Sequence, residues 1–204
     1  MNLKKSGKMN DERAAMVVLF SSAIILLLSL NFILVSREIH NLVFYLAIPS
    51  IILLACGKKL KEYFSINAKK LFCKEFLLVF AVFLISVIAA SRIAEFKNYY
   101  GSYSQALVSN PLYFIGASII ILFSWEFLFR SFMIKGMKSF GKSAVLIQAI
   151  PFAFMHFGKP AVELYASFFA GILLGYLALK QESFIGAFLL HLMVYLLIPL
   201  LVLF

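Results

Sequence analysis

Residues 111–134 read PLYFIGASIIILFSWEFLFRSFMI, an apolar run that contains only two charged residues, Glu126 and Arg130. At 1.5 Å per helical residue the run is long enough to cross the hydrocarbon core of a bilayer, so it predicts a membrane-spanning helix. A charged side chain at that depth costs about 2.5–3.5 kcal/mol on insertion scales, which makes both residues candidates for function. Because residues four apart share a helix face, the two charges can form an ion pair.

The rest of the chain has a similar composition. Of its 204 residues, 63% are apolar and 14% are charged, against about 45–50% and roughly 25% in soluble domains. This excludes an ordinary soluble globule. The two cysteines, Cys56 and Cys73, form neither a metal-ligand pattern nor a disulfide framework. We therefore predict an all-α fold, a polytopic transmembrane helical bundle in which residues 1–204 form a single membrane domain.

Seven apolar runs are predicted to span the membrane, within a range of six to eight. A Tyr-rich and Ser-rich segment, residues 98–110, is predicted to be an outer interfacial loop, because tyrosine favours the head-group zone. The predicted spans are residues 14–35, 41–56, 75–90, 111–134, 142–157, 161–179 and 184–204.

The net charge of +10 comes from 19 Lys and Arg residues against 9 Asp and Glu residues. In a soluble protein such an excess would suggest nucleic acid, but in a membrane chain the positive-inside rule explains it. With the N-terminus inside, fourteen basic residues, among them Lys4, Lys5 and Lys8, fall on the inner side and four on the outer side. This predicts an N-in, C-out topology, membrane lipids with anionic head groups as partners, and no nucleic-acid partner.

Three further ionisable residues stand out in the predicted spans, namely His156, Glu163 and His191. In the segment 151–160, PFAFMHFGKP, the prolines and glycine predict a helix break beside His156. A broken helix at membrane depth is tolerated where it is buried in protein or lines a wet cavity. A lone histidine on an apolar face is usually a core residue with a satisfied hydrogen bond, but a second membrane histidine, His191, favours a shared site.

The order of these residues resembles the CPBP (CAAX protease, or ABI) family of intramembrane proteases. Glu126-Phe-Leu-Phe-Arg130 resembles its EExxxR motif, Phe152-Ala-Phe-Met-His156 its FxxxH motif, and His191 the start of its HxxxN motif. The resemblance covers about residues 111–195, which would be the motif-bearing core. It implies an endopeptidase that hydrolyses a peptide bond in a membrane cavity, using water activated by Glu and His.

Two positions depart from the family pattern. Trp125 stands where the family has the first Glu of its pair, and Tyr195 stands where it has Asn. Tryptophan can neither accept a proton nor bind a metal ion, so the family's usual base is missing. The resemblance is thus to a variant with Trp-Glu in place of Glu-Glu.

The resemblance implies a role for each matching residue. Glu126 or, alternatively, Glu163 would be the base, with His156 as its partner. His191 and Tyr195 would stabilise the oxyanion. Arg130 would hold the carboxylate of Glu126, and Phe152 belongs to the second motif.

The cofactor and the activity class stay open at this point. Glu126, His156 and His191 could supply the three ligands of a catalytic zinc site, but a glutamate mechanism without metal is equally compatible. The expected partner is a peptide or membrane-associated protein substrate in the bacterial cytoplasmic membrane, with the oligomeric state open. One alternative is a catalytically inactive homologue acting as an immunity, chaperone or assembly factor, which Trp125 favours. A further alternative is a small transporter.

Overall fold

The computed structural model describes residues 10–32 and 34–203, and within these ranges the chain is helical and contains no β-strand. The inner-side lysines Lys4, Lys5 and Lys8 lie outside the described residues. The all-α prediction is confirmed. The helices are α1 (Asp11–Asn31), α2 (Arg37–Ala55), α3 (Leu60–Tyr63), α4 (Ala68–Leu71), α5 (Lys74–Ala90), α6 (Ala94–Ser109), α7 (Pro111–Gly136), α8 (Ser143–Phe154), α9 (Ala161–Gln181) and α10 (Ile185–Leu203).

Each of the seven predicted apolar segments contains a helix, and the chain is an integral membrane protein. Five helices, α1, α2, α7, α9 and α10, are long and apolar enough to cross a bilayer. A sixth span results if the segment Leu60–Leu71 is joined to α5 across a bend of 89°. Helix α8 has only 12 residues, because it ends ahead of the break that the prolines and glycine predicted. The count of seven spans and the N-in orientation stay predictions.

The prediction of a loop at residues 98–110 is wrong, because this segment belongs to helix α6. The helix buries Phe96, Tyr100 and Ser104. These three residues recur every four positions, so they form one narrow stripe that packs against the bundle. A Tyr-rich composition is typical of an interfacial loop, but the buried side chains of this segment have the spacing of a helix.

Helix α8 packs closely on α9 through two glycines. A Cβ atom on Gly171 would stand 3.1 Å from the Cα of Ala149, and one on Gly175 would stand 2.6 Å from Nε2 of Gln148. Small residues four apart allow two helix backbones to approach each other. Nε2 of Gln148 donates a hydrogen bond of 2.8 Å to the carbonyl of Gly171. The close approach thus holds the Gln148 side chain in one position.

Helix α7 contains a π-helical segment, Phe127–Met133, whose residues are all buried. Such segments are rare and are frequent at functional sites, because they change which side chains face the interior. Here the segment begins directly after Glu126. Just before it, Trp125 donates a hydrogen bond from Nε1 to Oδ1 of Asn41, which joins α7 to α2.

We predict that Gly175→Ala destabilises the protein by about 1–3 kcal/mol, since the new methyl group must displace Gln148 in a tightly packed interface. The thermal unfolding midpoint in detergent should fall. Gly116→Ala is the matched control, because a Cβ on Gly116 meets no heavy atom within 4 Å. An unchanged midpoint for Gly175→Ala would show that the α8 and α9 contact is looser than described.

Candidate active site

A buried carboxylate, that of Glu126, joins α7 to α10. Its Oε1 accepts a hydrogen bond of 2.7 Å from Nδ1 of His191, and its Oε2 lies 3.0 Å from Nε of Arg130. Arg130 also donates from Nη1 to Oε1 of Gln148, and its guanidinium carbon lies 4.3 Å from the centre of the Phe152 ring. The ion pair that the spacing predicted is therefore present, and its partners come from two further helices, α8 and α10.

The Glu126 and Arg130 pair is fully buried, with no exposed side-chain surface on either residue. The Nε–H of Arg130 does not point at Oε2 of Glu126, so this contact is ionic and not a hydrogen bond. Within the part of the chain that the structure describes, Nη2 of Arg130 has no hydrogen-bond partner. Removing one member of a buried ion pair costs about 3–5 kcal/mol, because the other charge is left uncompensated. Both residues are thus important for the stability of the fold.

Both membrane histidines are held through Nδ1. The Nδ1 atom of His156 lies 2.8 Å from the carbonyl oxygen of Phe152, which can only accept, so this nitrogen carries the hydrogen. Nδ1 of His191 faces the carboxylate of Glu126 in the same way. Each imidazole is therefore left with Nε2 for a further partner.

The two histidines lie on the wall of one cavity of about 500 Å³. This volume is within the range of about 300–1,000 Å³ that is typical of ligand sites. Helices α5, α6, α9 and α10, the end of α8 and the turn after it form the wall. Glu126 and Arg130 lie behind it, so the first motif does not reach the cavity. The ionisable residues on the wall are Tyr100, His156, Lys159, Glu163, His191 and Tyr195.

Among the described residues, Glu163 is the one carboxylate on the cavity wall. Its Oε1 lies 2.6 Å from Nζ of Lys159, one helical turn earlier, and its Oε2 accepts a hydrogen bond of 2.6 Å from the hydroxyl of Tyr100. Burial, together with the negative charge of Glu163, raises the pKa of Tyr100 well above its usual value. The phenol therefore keeps its proton and acts as a donor at neutral pH.

Trp125 occupies the space beside His156. The two rings meet edge to face, with centroids 5.7 Å apart, and the indole also packs edge to face on Tyr45. The Nε1–H of the indole, its one polar group, already donates a hydrogen bond to Asn41. The departure from the family's Glu-Glu pattern thus places an aromatic surface next to His156 where the pattern has a carboxylate.

The structure divides the predicted site residues into two groups. Phe152, His156, Glu163, His191 and Tyr195 line the cavity, whereas the other predicted residues support its wall or lie beside it. Sequence reasoning missed Tyr100, Lys159 and Gln148. The spacing of Lys159 and Glu163 could have indicated their contact, and the four-residue spacing of Phe96, Tyr100 and Ser104 could have indicated a buried helix face. The supporting residues are Trp125, Glu126 and Arg130.

The predicted zinc ligands do not fit a metal site in this arrangement. A catalytic zinc ion needs three protein ligands around one open position. Over residues 10–32 and 34–203, no three His, Cys, Asp or Glu side chains are grouped closely enough to hold a metal ion. One oxygen of Glu126 already faces His191 and the other faces Arg130.

Comparison with known proteins agrees with the motif order. The family model for type II CAAX prenyl endopeptidase Rce1-like proteins matches residues 107–197. This stretch contains α7 to α9 and most of α10, and thus all the motif residues. Neither the curated proteins nor the solved structures gave a match to the chain. Residues 107–197 are therefore similar to the CAAX-type intramembrane proteases of the CPBP family.

Proposed function

We propose that the protein is an endopeptidase of the bacterial cytoplasmic membrane, which hydrolyses a peptide bond of a peptide or membrane-associated protein in the cavity described above. The observation that carries this proposal is the shared cavity wall, where Glu163 lies with the imidazoles of His156 and His191. A carboxylate and two imidazoles are the groups that a peptide hydrolysis reaction needs for proton transfer and charge stabilisation. The similarity of residues 107–197 to the CAAX-type protease family supports the same reaction class.

Glu163 is the proposed base. It is the candidate carboxylate that reaches the cavity, whereas Glu126 is buried behind the wall. Glu163 takes a proton from a water molecule, whose oxygen attacks the carbonyl carbon of the substrate. His156, through Nε2, orients the same water. When the carbon–nitrogen bond breaks, Glu163 returns the proton to the leaving amine, so that one peptide and one water give an acid and an amine.

His191 is the proposed stabiliser of the oxyanion. The carboxylate of Glu126 holds the ring through Nδ1, and when the ring carries a hydrogen on both nitrogens, Nε2–H donates to the developing negative oxygen. The hydroxyl of Tyr195, on the same wall, is the second donor. Arg130 contributes indirectly, because it keeps Glu126 in place.

We predict that Glu163→Gln, His156→Ala and His191→Ala each lower kcat/KM by about 100-fold or more, as is usual for general base and oxyanion groups. The assay incubates the purified protein in liposomes with a peptide library and identifies cleaved bonds by mass spectrometry.

The matched control for this assay is Glu182→Gln. Glu182 is an exposed carboxylate between α9 and α10 that pairs with Lys70 outside the cavity, so its loss should leave cleavage unchanged. Normal cleavage by the Glu163 and His156 variants would show that these site assignments are wrong.

We predict that treatment with EDTA leaves the cleavage rate unchanged. The reason is that, among the described residues, no three His, Cys, Asp or Glu side chains lie close enough together to hold a metal ion. The measurement is the cleavage rate before and after chelation, together with the metal content of the purified protein. A rate that falls on chelation and returns with Zn²⁺ would contradict the glutamate mechanism.

A second candidate function is that of a catalytically inactive homologue, which binds its partner in the same cavity as an immunity, chaperone or assembly factor. The observation that favours it is the indole of Trp125 beside His156. In this case the library peptides should bind uncut, and Trp125→Glu should produce cleavage that the wild type lacks. Cleavage by the wild type would reject this candidate.

A further inference from the structure

All of helix α6 except its last three residues lies before the stretch that matches the family, yet the helix forms part of the cavity wall. Three polar contacts attach it to α9 and α10. The carboxylate of Glu95 accepts a hydrogen bond of 3.2 Å from the backbone nitrogen of Ala161, at the start of α9. Ser104 donates a hydrogen bond of 2.8 Å to the carbonyl of Pro199 in α10. Between these two contacts, Tyr100 donates to Glu163.

The carboxylate of Glu163 is held from two directions. Lys159 contacts one oxygen from the turn before α9, and Tyr100 contacts the other from α6, each at 2.6 Å. The other ionisable groups close to Glu163 are Tyr99 on α6 and Tyr195 on α10. With donors on both oxygens, the carboxylate has one preferred orientation. The donor from α6 therefore limits how the side chain can turn within the cavity.

We propose that Tyr100 is a positioning residue, whose hydroxyl holds the Glu163 carboxylate in the orientation that receives the proton of the attacking water. This inference rests on the proposed function of Glu163. It extends the catalytic site beyond the family's motifs to a residue that lies outside the matched stretch. The phenol itself does not touch the reacting atoms, since its hydroxyl is used by the carboxylate.

The substitution Tyr100→Phe isolates the hydroxyl. The ring of Tyr100 packs on Phe96, Tyr99 and Tyr103, with centroid distances of 4.7, 5.0 and 5.1 Å, and phenylalanine keeps these contacts. The matched control is Tyr103→Phe, which removes a hydroxyl from the same helix and leaves the contact with Glu163 intact.

The first measurement does not depend on activity. A hydrophobic carbodiimide modifies protonated carboxyl groups, and mass spectrometry of the peptide that contains Glu163 gives the extent of modification. In Tyr100→Phe the carboxylate loses the hydrogen bond that occupies its Oε2, so this oxygen becomes free to react with the reagent. We expect modification at neutral pH to rise about tenfold, as for the loss of a hydrogen bond to a charged group, whereas Tyr103→Phe should match the wild type.

The second measurement is cleavage of a library peptide. Tyr100→Phe should lower kcat about tenfold, because the base is less well oriented. It should leave KM within about twofold, because phenylalanine keeps the ring on the cavity wall and the lost hydroxyl was used by Glu163. Tyr103→Phe should leave both constants unchanged.

The two measurements separate the possible outcomes. Wild-type modification and wild-type kinetics in Tyr100→Phe would overturn the role of Tyr100. Increased modification in a protein that cleaves no peptide would support the contact between Tyr100 and Glu163 and overturn the proposed function. A fall in kcat without increased modification would also overturn the proposal, because the hydroxyl would then act on something other than the carboxylate.

Discussion

The buried contact of Glu126 with Arg130 and His191 is the constraint on which the rest of the structure depends. Two opposite charges without solvent exposure must stay together, because either one alone is costly in an apolar interior. Arg130 has further contacts with Gln148 and Phe152 on α8, and His191 lies on α10. Helices α7, α8 and α10 are therefore connected through one buried cluster around the Glu126 and Arg130 ion pair.

This arrangement separates two kinds of carboxylate. Glu126 is enclosed and acts on the cavity only through the ring of His191. Glu163 lies on the cavity wall, where Lys159 and Tyr100 donate to its two oxygens. An enclosed carboxylate can orient and charge a neighbouring imidazole, but it cannot meet a water molecule that attacks a substrate. In a chain with tryptophan at position 125, Glu163 is thus the carboxylate best placed for proton transfer.

Sequence patterns predicted the membrane class, the helical content, the segments that form helices and the pairing of Glu126 with Arg130. Each of these depends on properties of a few neighbouring residues, such as the length of an apolar run or the spacing of two charges. The place of Tyr100 was missed because a Tyr-rich segment has the composition of an interfacial loop as well as that of an amphipathic helix. Only the burial of Phe96, Tyr100 and Ser104 distinguishes the two.

The sequence by itself determined that this protein lies in a membrane and has the motif order of an intramembrane protease family. Local composition and spacing are enough for both, since hydrophobic length and residue order are properties of the linear chain. Only the tertiary structure decided which groups share the cavity: it placed Glu126 behind the wall, Glu163 on it, and the hydroxyl of Tyr100 2.6 Å from Glu163, 63 positions away in the chain. Such contacts depend on how the helices pack, which is set by the close approach of α8 and α9 and by the buried charges, and no local pattern encodes them.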